Sequence, residues 1–224
     1  MTFSLTARCP RTGQFGIGAV TAMPAVGKLL TYAWPGKGAV ATQALVNPYL
    51  GIDGIELLRA GHSSDEVLDI LKKDDPEIEN RQFAVMDSTG HGAVWTGSKC
   101  IDWRGHAVFP NLTVQGNRLE GPQVIAAIRD AFEAHADLPL AGRLVEAIAA
   151  GDAHGGDRKE ELSSTVYVVD TEEYPLWDVR VDHHHDPIAE LRRVYGVFSR
   201  DLYPHIKRMS TRAKPMGEID DRAV

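Results

Sequence analysis

The chain has 224 residues, 43% of them hydrophobic and 25% charged, an ordinary globular composition with enough length for one sizeable core. Its 24 Lys and Arg stand against 31 Asp and Glu, a formal charge of -7, which argues against nucleic acid or an anionic membrane as a partner. Cys9 and Cys100 are far apart and suggest neither a disulfide framework nor a zinc pair, and no basic leader or apolar run of spanning length is evident, so a soluble cytoplasmic protein without metal or cofactor is expected.

Residues 2–8 alternate polar with apolar, Pro10-Arg11-Thr12-Gly13 supply a turn, and residues 15–22 resume, which predicts a β-hairpin. Residues 29–34 and 38–42 read as further strands. Helical spacing over 54–60 stops at Gly61, and Ser63 with Glu66 gives a capping-box spacing for a second helix through Leu71. Phe83, Val85 and Met86, then residues 93–96 beyond Ser88-Thr89-Gly90, predict another hairpin. Residues 112–114 add a strand, and a second sheet is expected to begin with this group. Pro122 opens a helix through Val124, Ile125, Ile128 and Phe132, and a further helix runs from about 139 to 150, before Gly151. Residues 164–169 and 177–181 return to strand character, and Asp186-Pro187 opens a last helix carrying Ile188, Leu191 and Val194. From about Lys207 periodicity gives way to charge. Residues 1–206 are therefore expected as one domain and 207–224 as a frayed tail. Strand groups alternating with helix pairs suit two antiparallel sheets stacked face to face with helices outside, not a doubly wound parallel sheet.

Five segments are candidates for chemistry. If Met1 is trimmed, Thr2 offers a hydroxyl nucleophile and, in the same residue, an α-amine of pKa about 7.7 to 8 that can serve as its base; the plain alternative is a small residue opening a strand. Thr42-Gln43 closes a small-residue strand before Asn47-Pro48, a place where amides could face an oxyanion or where a strand merely ends. Gln115-Gly116-Asn117 forms a second polar strand end, able to donate to a carbonyl or to make an ordinary turn. Asp157 could tune an amine, Arg158 could hold a carboxylate and Ser163 could bond near the nucleophile, against a reading as a solvated loop. In Asp182-His183-His184-His185-Asp186, strand geometry leaves only His183 and His185 on one face, and Asp186 suits a helix cap, so no metal is expected there; the alternative, a metal-dependent hydrolase, needs Asp182 or Asp178 as a further ligand.

Taken together, Thr2-Phe3-Ser4, Pro24-Ala25-Val26-Gly27, Gly38-Ala39-Val40-Ala41-Thr42-Gln43, Asn47-Pro48, Val114-Gln115-Gly116-Asn117, Gly155-Gly156-Asp157-Arg158 and Arg180-Val181-Asp182 resemble a bacterial and archaeal family, the domain of unknown function numbered one thousand and twenty-eight. The family is similar to Ntn-hydrolases, and the resemblance covers residues from Thr2 to about Tyr195. It implies a four-layer αββα sandwich of two antiparallel sheets. It also implies a catalytic set of Thr2, Gln43, Asn117, Asp157 and Ser163, with Thr42, Gln115, Gly116 and Arg158 binding substrate. Proteasome-like members carry an Asp after the second strand and a Lys on the third, whereas this chain reads Thr21-Ala22-Met23-Pro24 and offers only Lys28 or Lys37. The implied function is an amidohydrolase acting on a small amide or peptide-like substrate. The alternative is a non-catalytic module on the same fold that binds a small metabolite or a partner chain. A closed homo-oligomer is the expected assembly.

Overall fold

The structure, a computed structural model, describes residues 2–155 and 161–218. Ten strands form two antiparallel sheets. The first contains β1 (Thr2–Arg8), β2 (Phe15–Thr21), β7 (Gly105–Phe109), β8 (Leu112–Asn117), β9 (Ser163–Val169) and β10 (Trp177–Val181), in the order β10-β9-β2-β1-β8-β7. The second contains β3 (Thr31–Trp34), β4 (Gly38–Ala44), β5 (Arg81–Asp87) and β6 (Gly92–Thr96), in chain order.

Both faces of each sheet are buried, which is why β2 and β5 read as nearly continuous apolar runs with no clean alternation. On the outer face of the first sheet, Phe3, Leu5, Val114 and Val166 pack against α3 (Gln123–Ala134), α4 (Leu140–Ala153) and α5 (Pro187–Val197) through Ile128, Leu144, Ile148 and Leu191. On the outer face of the second, Val40, Phe83 and Val85 meet Leu50, Ile55, Leu58, Val67 and Leu71 of α1 (Pro48–Ala60) and α2 (Ser64–Asp74). Between the sheets lie Phe15, Ile17, Ala19, Ala39, Ala41, Met86 and Val169. The result is the αββα sandwich. Gly18 has a specific task within it, since a Cβ there would stand 2.8 Å from Leu5 Cδ2 and 2.9 Å from Ile148 Cδ1, and only its absence lets α4 lie this close to the sheet.

Four details depart from the sequence reading. The second sheet does not begin afresh at residue 83: β5 and β6 extend β3-β4, while β8 returns to pair with β1, so the sheets interleave along the chain. Helix α1 starts at Pro48, capped by the Asn47 side chain, because Tyr49 and Ile52 face solvent and blur the apolar period that marks the later turns. Helix α4 continues through Gly151, where a Cβ would meet Ile128 at 2.7 Å and Phe3 at 2.9 Å; this glycine serves close packing, not termination. Strand β7, half exposed at the sheet edge, carries too little apolar signal to have been read.

Beyond α5, still within the expected domain, a π-helical turn (Phe198–Leu202) leads into the short α6 (Tyr203–Ile206). Residues 207–218 then lie against the turn after β9: Lys207 pairs with Asp170, Arg212 with Glu173, and Tyr174 Oη donates to Ser210 O. Charge pairing, invisible to an apolar-period reading, holds this segment. Residues 219–224 lie outside the described residues.

The α4 contact sets a measurable expectation. Ile148 is fully buried, and Ile148→Ala should lower unfolding free energy by about 2–5 kcal/mol, read from urea midpoints at unchanged m-value.

Candidate active site

The layer between the sheets is divided chemically. Around Phe15, Ile17, Ala39, Ala41 and Val169 it is apolar, but nearer Thr2 the inward-facing residues include Ser4 of β1, Gln43 of β4, Gln82 of β5 and Gln115 and Asn117 of β8, none more than 4% exposed. Burying so many amides is tolerable only if they satisfy one another. Gln82 is the hub. Its Oε1 accepts from Gln43 Nε2 at 2.7 Å and from Asn117 Nδ2 at 3.0 Å, and its Nε2 faces Gly116 O at 2.9 Å, Thr96 Oγ1 at 2.9 Å and Gly105 O at 3.2 Å. Beside it, Gln115 Nε2 donates to Ser4 Oγ at 2.7 Å, and Ser4 Oγ donates to Gln43 Oε1 at 2.6 Å. Gln43 Nε2 also reaches Thr2 O at 3.3 Å, so the network ends on the backbone of the first strand residue.

Thr2 stands at the open end of this layer. It pairs with Thr21 on β2 and with Asn117 on β8, and its Oγ1 lies 2.9 Å from Thr21 Oγ1. A cleft of about 380 Å³ opens there, lined by Thr2, Thr21, Asn117 and the strand-end segments carrying Met23, Ala44, Lys99 and Arg118. Among the described residues, four non-glycine positions hold positive φ: Ala25 (59°), Ala44 (71°), Asn111 (60°) and Arg118 (59°). Asparagine tolerates this region, but Ala and Arg do so at a cost. Ala44 and Arg118 are both cleft residues, and Ala25 sits in the loop beside it, tied by its amide to Asp182 O at 2.8 Å. Backbone strain is thus gathered at this end of the sandwich.

The residues singled out from sequence divide sharply. Thr2 and Asn117 come together across one strand pair and both line the cleft. Asn117 uses one amide hydrogen on Gln82 and has a second to offer. Gln43 is not at a turn. It lies within β4, buried, and both of its amide hydrogens are engaged, so it positions the Thr2 backbone and is not available as an oxyanion donor. Thr42 faces the opposite side of that strand, donating to Asn47 O at 3.2 Å. Gln115 is fully buried on Ser4, and Gly116 turns its Cα toward Leu119, so neither borders the cleft. Ser163 lies beyond Thr21 on β9, about 10 Å from Thr2 across two strand spacings. Its hydroxyl donates to Met23 O at 2.6 Å and accepts from Val26 N at 3.0 Å, which shapes the loop forming one cleft wall. Asp157 and Arg158 fall outside the described residues.

The His tract is a loop between β10 and α5, not a strand. The His184 and His185 rings pack 4.3 Å apart, and Asp186 caps α5 by accepting from Ala189 N at 3.0 Å. Among the described residues, no group of three or more His, Cys, Asp or Glu side chains could hold a metal ion. The sequence reading missed Gln82 and Thr21. Parity along β5 was the available signal, because Gln82 shares a face with Ala84 and Met86 while Phe83 and Val85 occupy the other.

A second polar cluster braces the wall opposite Thr2. The Asp75 carboxylate takes Asn47 Nδ2 at 2.8 Å, the Glu77 amide at 2.8 Å and Arg81 Nε at 3.0 Å, and Arg81 in turn donates to Leu45 O. Burial pushes the Asp75 carboxyl up, but the donors from Asn47, Glu77 and Arg81 outweigh it and hold the group below its ordinary value.

Two antiparallel sheets enclosed by helices, with a hydroxyl at the head of a central strand beside a strained cleft, define an α+β sandwich whose candidate site lies at one end of the inter-sheet layer. Residues 2–191 match DUF1028, a family of unknown function, and the chain belongs to that family. Among solved structures it is similar to protein SPO2555 from Silicibacter pomeroyi, a crystal structure assigned to DUF1028, with 28% identity and a TM-score of 0.90 over 98% of this chain and 96% of that one. It is also similar to Anbu (ancestral beta-subunit) from Yersinia bercovieri, at 11% identity and a TM-score of 0.41 over 91% and 97% of the two chains, a likeness too weak to carry an argument. No curated protein matches the chain.

Gln82→Met, close in shape but without the amide, should strand the Gln43 and Asn117 donors and destabilise the protein by about 2–5 kcal/mol; an unchanged urea midpoint would show that the network is dispensable. Asp75 makes a separate, pH-dependent contribution. Because its folded pKa is depressed, the stability it adds is fully present above the unfolded value of about 3.9 and is lost as pH falls through the lower folded value. Denaturation midpoints between pH 7 and pH 3 should therefore fall more gently for Asp75→Asn than for the parent, from a lower starting stability at pH 7.

Proposed function

We propose that the chain is an N-terminal-nucleophile amidohydrolase acting on a small amide or peptide-like substrate, with Thr2 as nucleophile. The observation that carries this reading is the position of the Thr2 hydroxyl, 2.9 Å from Thr21 and opposite Asn117, on a cleft of small-molecule size. Removal of Met1 frees the Thr2 amine. In the proposed reaction Thr2 Oγ attacks the amide carbonyl while the amine, directly or through water, accepts the hydroxyl proton. Thr21 holds the hydroxyl in place, and the remaining Asn117 amide hydrogen meets the developing oxyanion. Collapse breaks the C–N bond, the protonated amine returns its proton to the leaving nitrogen, and an acyl ester on Thr2 remains. Water activated by the same amine then cleaves the ester, releasing the acid and restoring Thr2. No cofactor takes part.

A specific observation favours a second reading. The interior network of Ser4, Gln43, Gln82, Gln115 and Asn117 contains no ionisable side chain, so this network offers the Thr2 hydroxyl no base. In a chain that keeps Met1, the same groups form a non-catalytic binding module. Under either reading we place the protein in the cytoplasm, on its two buried free thiols, Cys9 and Cys100, and as a closed homo-oligomer. No helix among the described residues is long and apolar enough to cross a membrane.

Mass spectrometry of the native protein should find Thr2 as the first residue. Thr2→Ala should lower turnover of a cleaved amide by about a thousandfold or more, with Thr2→Ser retaining a measurable fraction. Active protein with Met1 intact would refute the hydrolase. Thermal stabilisation by a ligand that persists in Thr2→Ala, without turnover in the parent, would establish the binding module.

A further inference from the structure

Among the described residues, the cleft beside Thr2 carries no acidic lining residue although the chain is acidic overall. Its two charged residues, Lys99 and Arg118, are exposed, and neither takes part in an ion pair among the described residues. The charge of Glu79 reaches Lys99, but that carboxylate is held by the Ser98 amide at 2.7 Å. Arg118 follows Asn117 directly and is kept in the left-handed region, its amide bonded to Ile101 O at 2.9 Å. The reversal at Arg118 seats Leu119 in the core, its amide bonded to Trp103 O at 3.0 Å, and leaves the Arg118 side chain at the cleft.

The apolar lining is equally placed. Met23 and Leu45 are 66% and 61% exposed, large values for side chains bordering one cleft. Topology sets both cations to one side, where Ile101, 52% exposed, accompanies them. Lys99 and Arg118 follow β6 and β8, on the Asn117 side of Thr2, whereas Met23 follows β2 and Leu45 follows β4. A carbonyl at Thr2 would have cations on one side and uncovered apolar surface on the other.

We propose that this cleft takes amides with a carboxylate on one arm of the scissile bond and an apolar chain on the other. The carboxylate meets Lys99 and Arg118, and the chain covers Met23 and Leu45. The assignment rests on the reading above that Thr2 marks the reacting carbonyl. Exposed cations without an ion-pair partner among the described residues concentrate anionic ligands locally, and a guanidinium with an ammonium suits a carboxylate. The carboxylate can belong to the amine arm, as in an N-acyl amino acid, or to the acyl arm, as in an N-alkyl glutaramic acid.

Calorimetric titration of Thr2→Ala protein, which cannot turn over, distinguishes these cases. The probes are N-octanoyl-L-glutamate and N-octylglutaramic acid, each beside its neutral carboxamide. At least one acid should bind saturably and about tenfold or more tighter than its carboxamide. That advantage should shrink with added salt and disappear in Lys99→Met/Arg118→Met, whose surface positions leave the melting temperature unchanged. Which acid wins identifies the charged arm. Equal affinity for acid and carboxamide, no saturable binding of either acid, or discrimination that survives the double substitution overturns the proposal. Charge-selective binding without release of octanoate or octylamine by the parent protein would leave it standing and remove the hydrolase reading instead.

Discussion

Side-chain amides join the two halves of this sandwich, with Gln82 at their centre. Gln82 projects from the second sheet and is met by Asn117, Gly116 and Gly105 of the first and by Gln43 of its own. Hydrogen bonds in a dry layer contribute little net stability when complete and cost much when broken, so this arrangement acts chiefly on geometry. Sliding β5 by one residue would swap its inward and outward faces, turning Gln82 toward α1 and α2 and carrying Phe83 into the amide cluster. The hydrophobic layers make the sheets stack; the amides fix where they stop.

The same constraint prepares the cleft. Gln43 grips the carbonyl of Thr2 while the strand partners Thr21 and Asn117 flank it, so the first residue of β1 is located by contacts that do not involve its own hydroxyl. The loop bearing Met23 is fixed by Ser163, and the wall bearing Leu45 by Arg81 and Asp75. Most of the polar side chains around Thr2 therefore hold other groups in place, leaving Asn117 and Thr21 as the ones disposed to act beside it. Positive φ at Ala44 and Arg118 is what remains uncompensated, and it lies where strand ends turn sharply to surround an opening.

Much of the architecture was legible in the chain. The capping box at Ser63 and Glu66, the Asp186-Pro187 start and the apolar spacing of α3 all fell where local chemistry placed them, because those signals need no knowledge of partners. Sheet membership was not legible. Whether residues 112–117 pair with β1 or with β5 depends on long-range packing that leaves no mark in local periodicity. The site shows the same division. Thr2 stood out through chemistry intrinsic to a terminal residue, and Asn117 through its place at a strand end. Gln43 and Thr42 could not be told apart without knowing which face of β4 looks inward, and Gln82 sat unnoticed among apolar neighbours. Acidic and basic residues that fold the segment after Lys207 against the β9 turn were equally silent, since ion pairing across forty residues has no period.

The order of the first sheet has a consequence for biogenesis. Strand β1 is made first yet sits in the middle, between β2 and β8, and β8 begins at residue 112. Half the chain must leave the ribosome before the sheet can close on that side. During synthesis, at roughly 5–20 residues per second, β1, Thr2 included, has at most its hairpin partner for several seconds. After closure the same residue is recessed at the end of a packed layer.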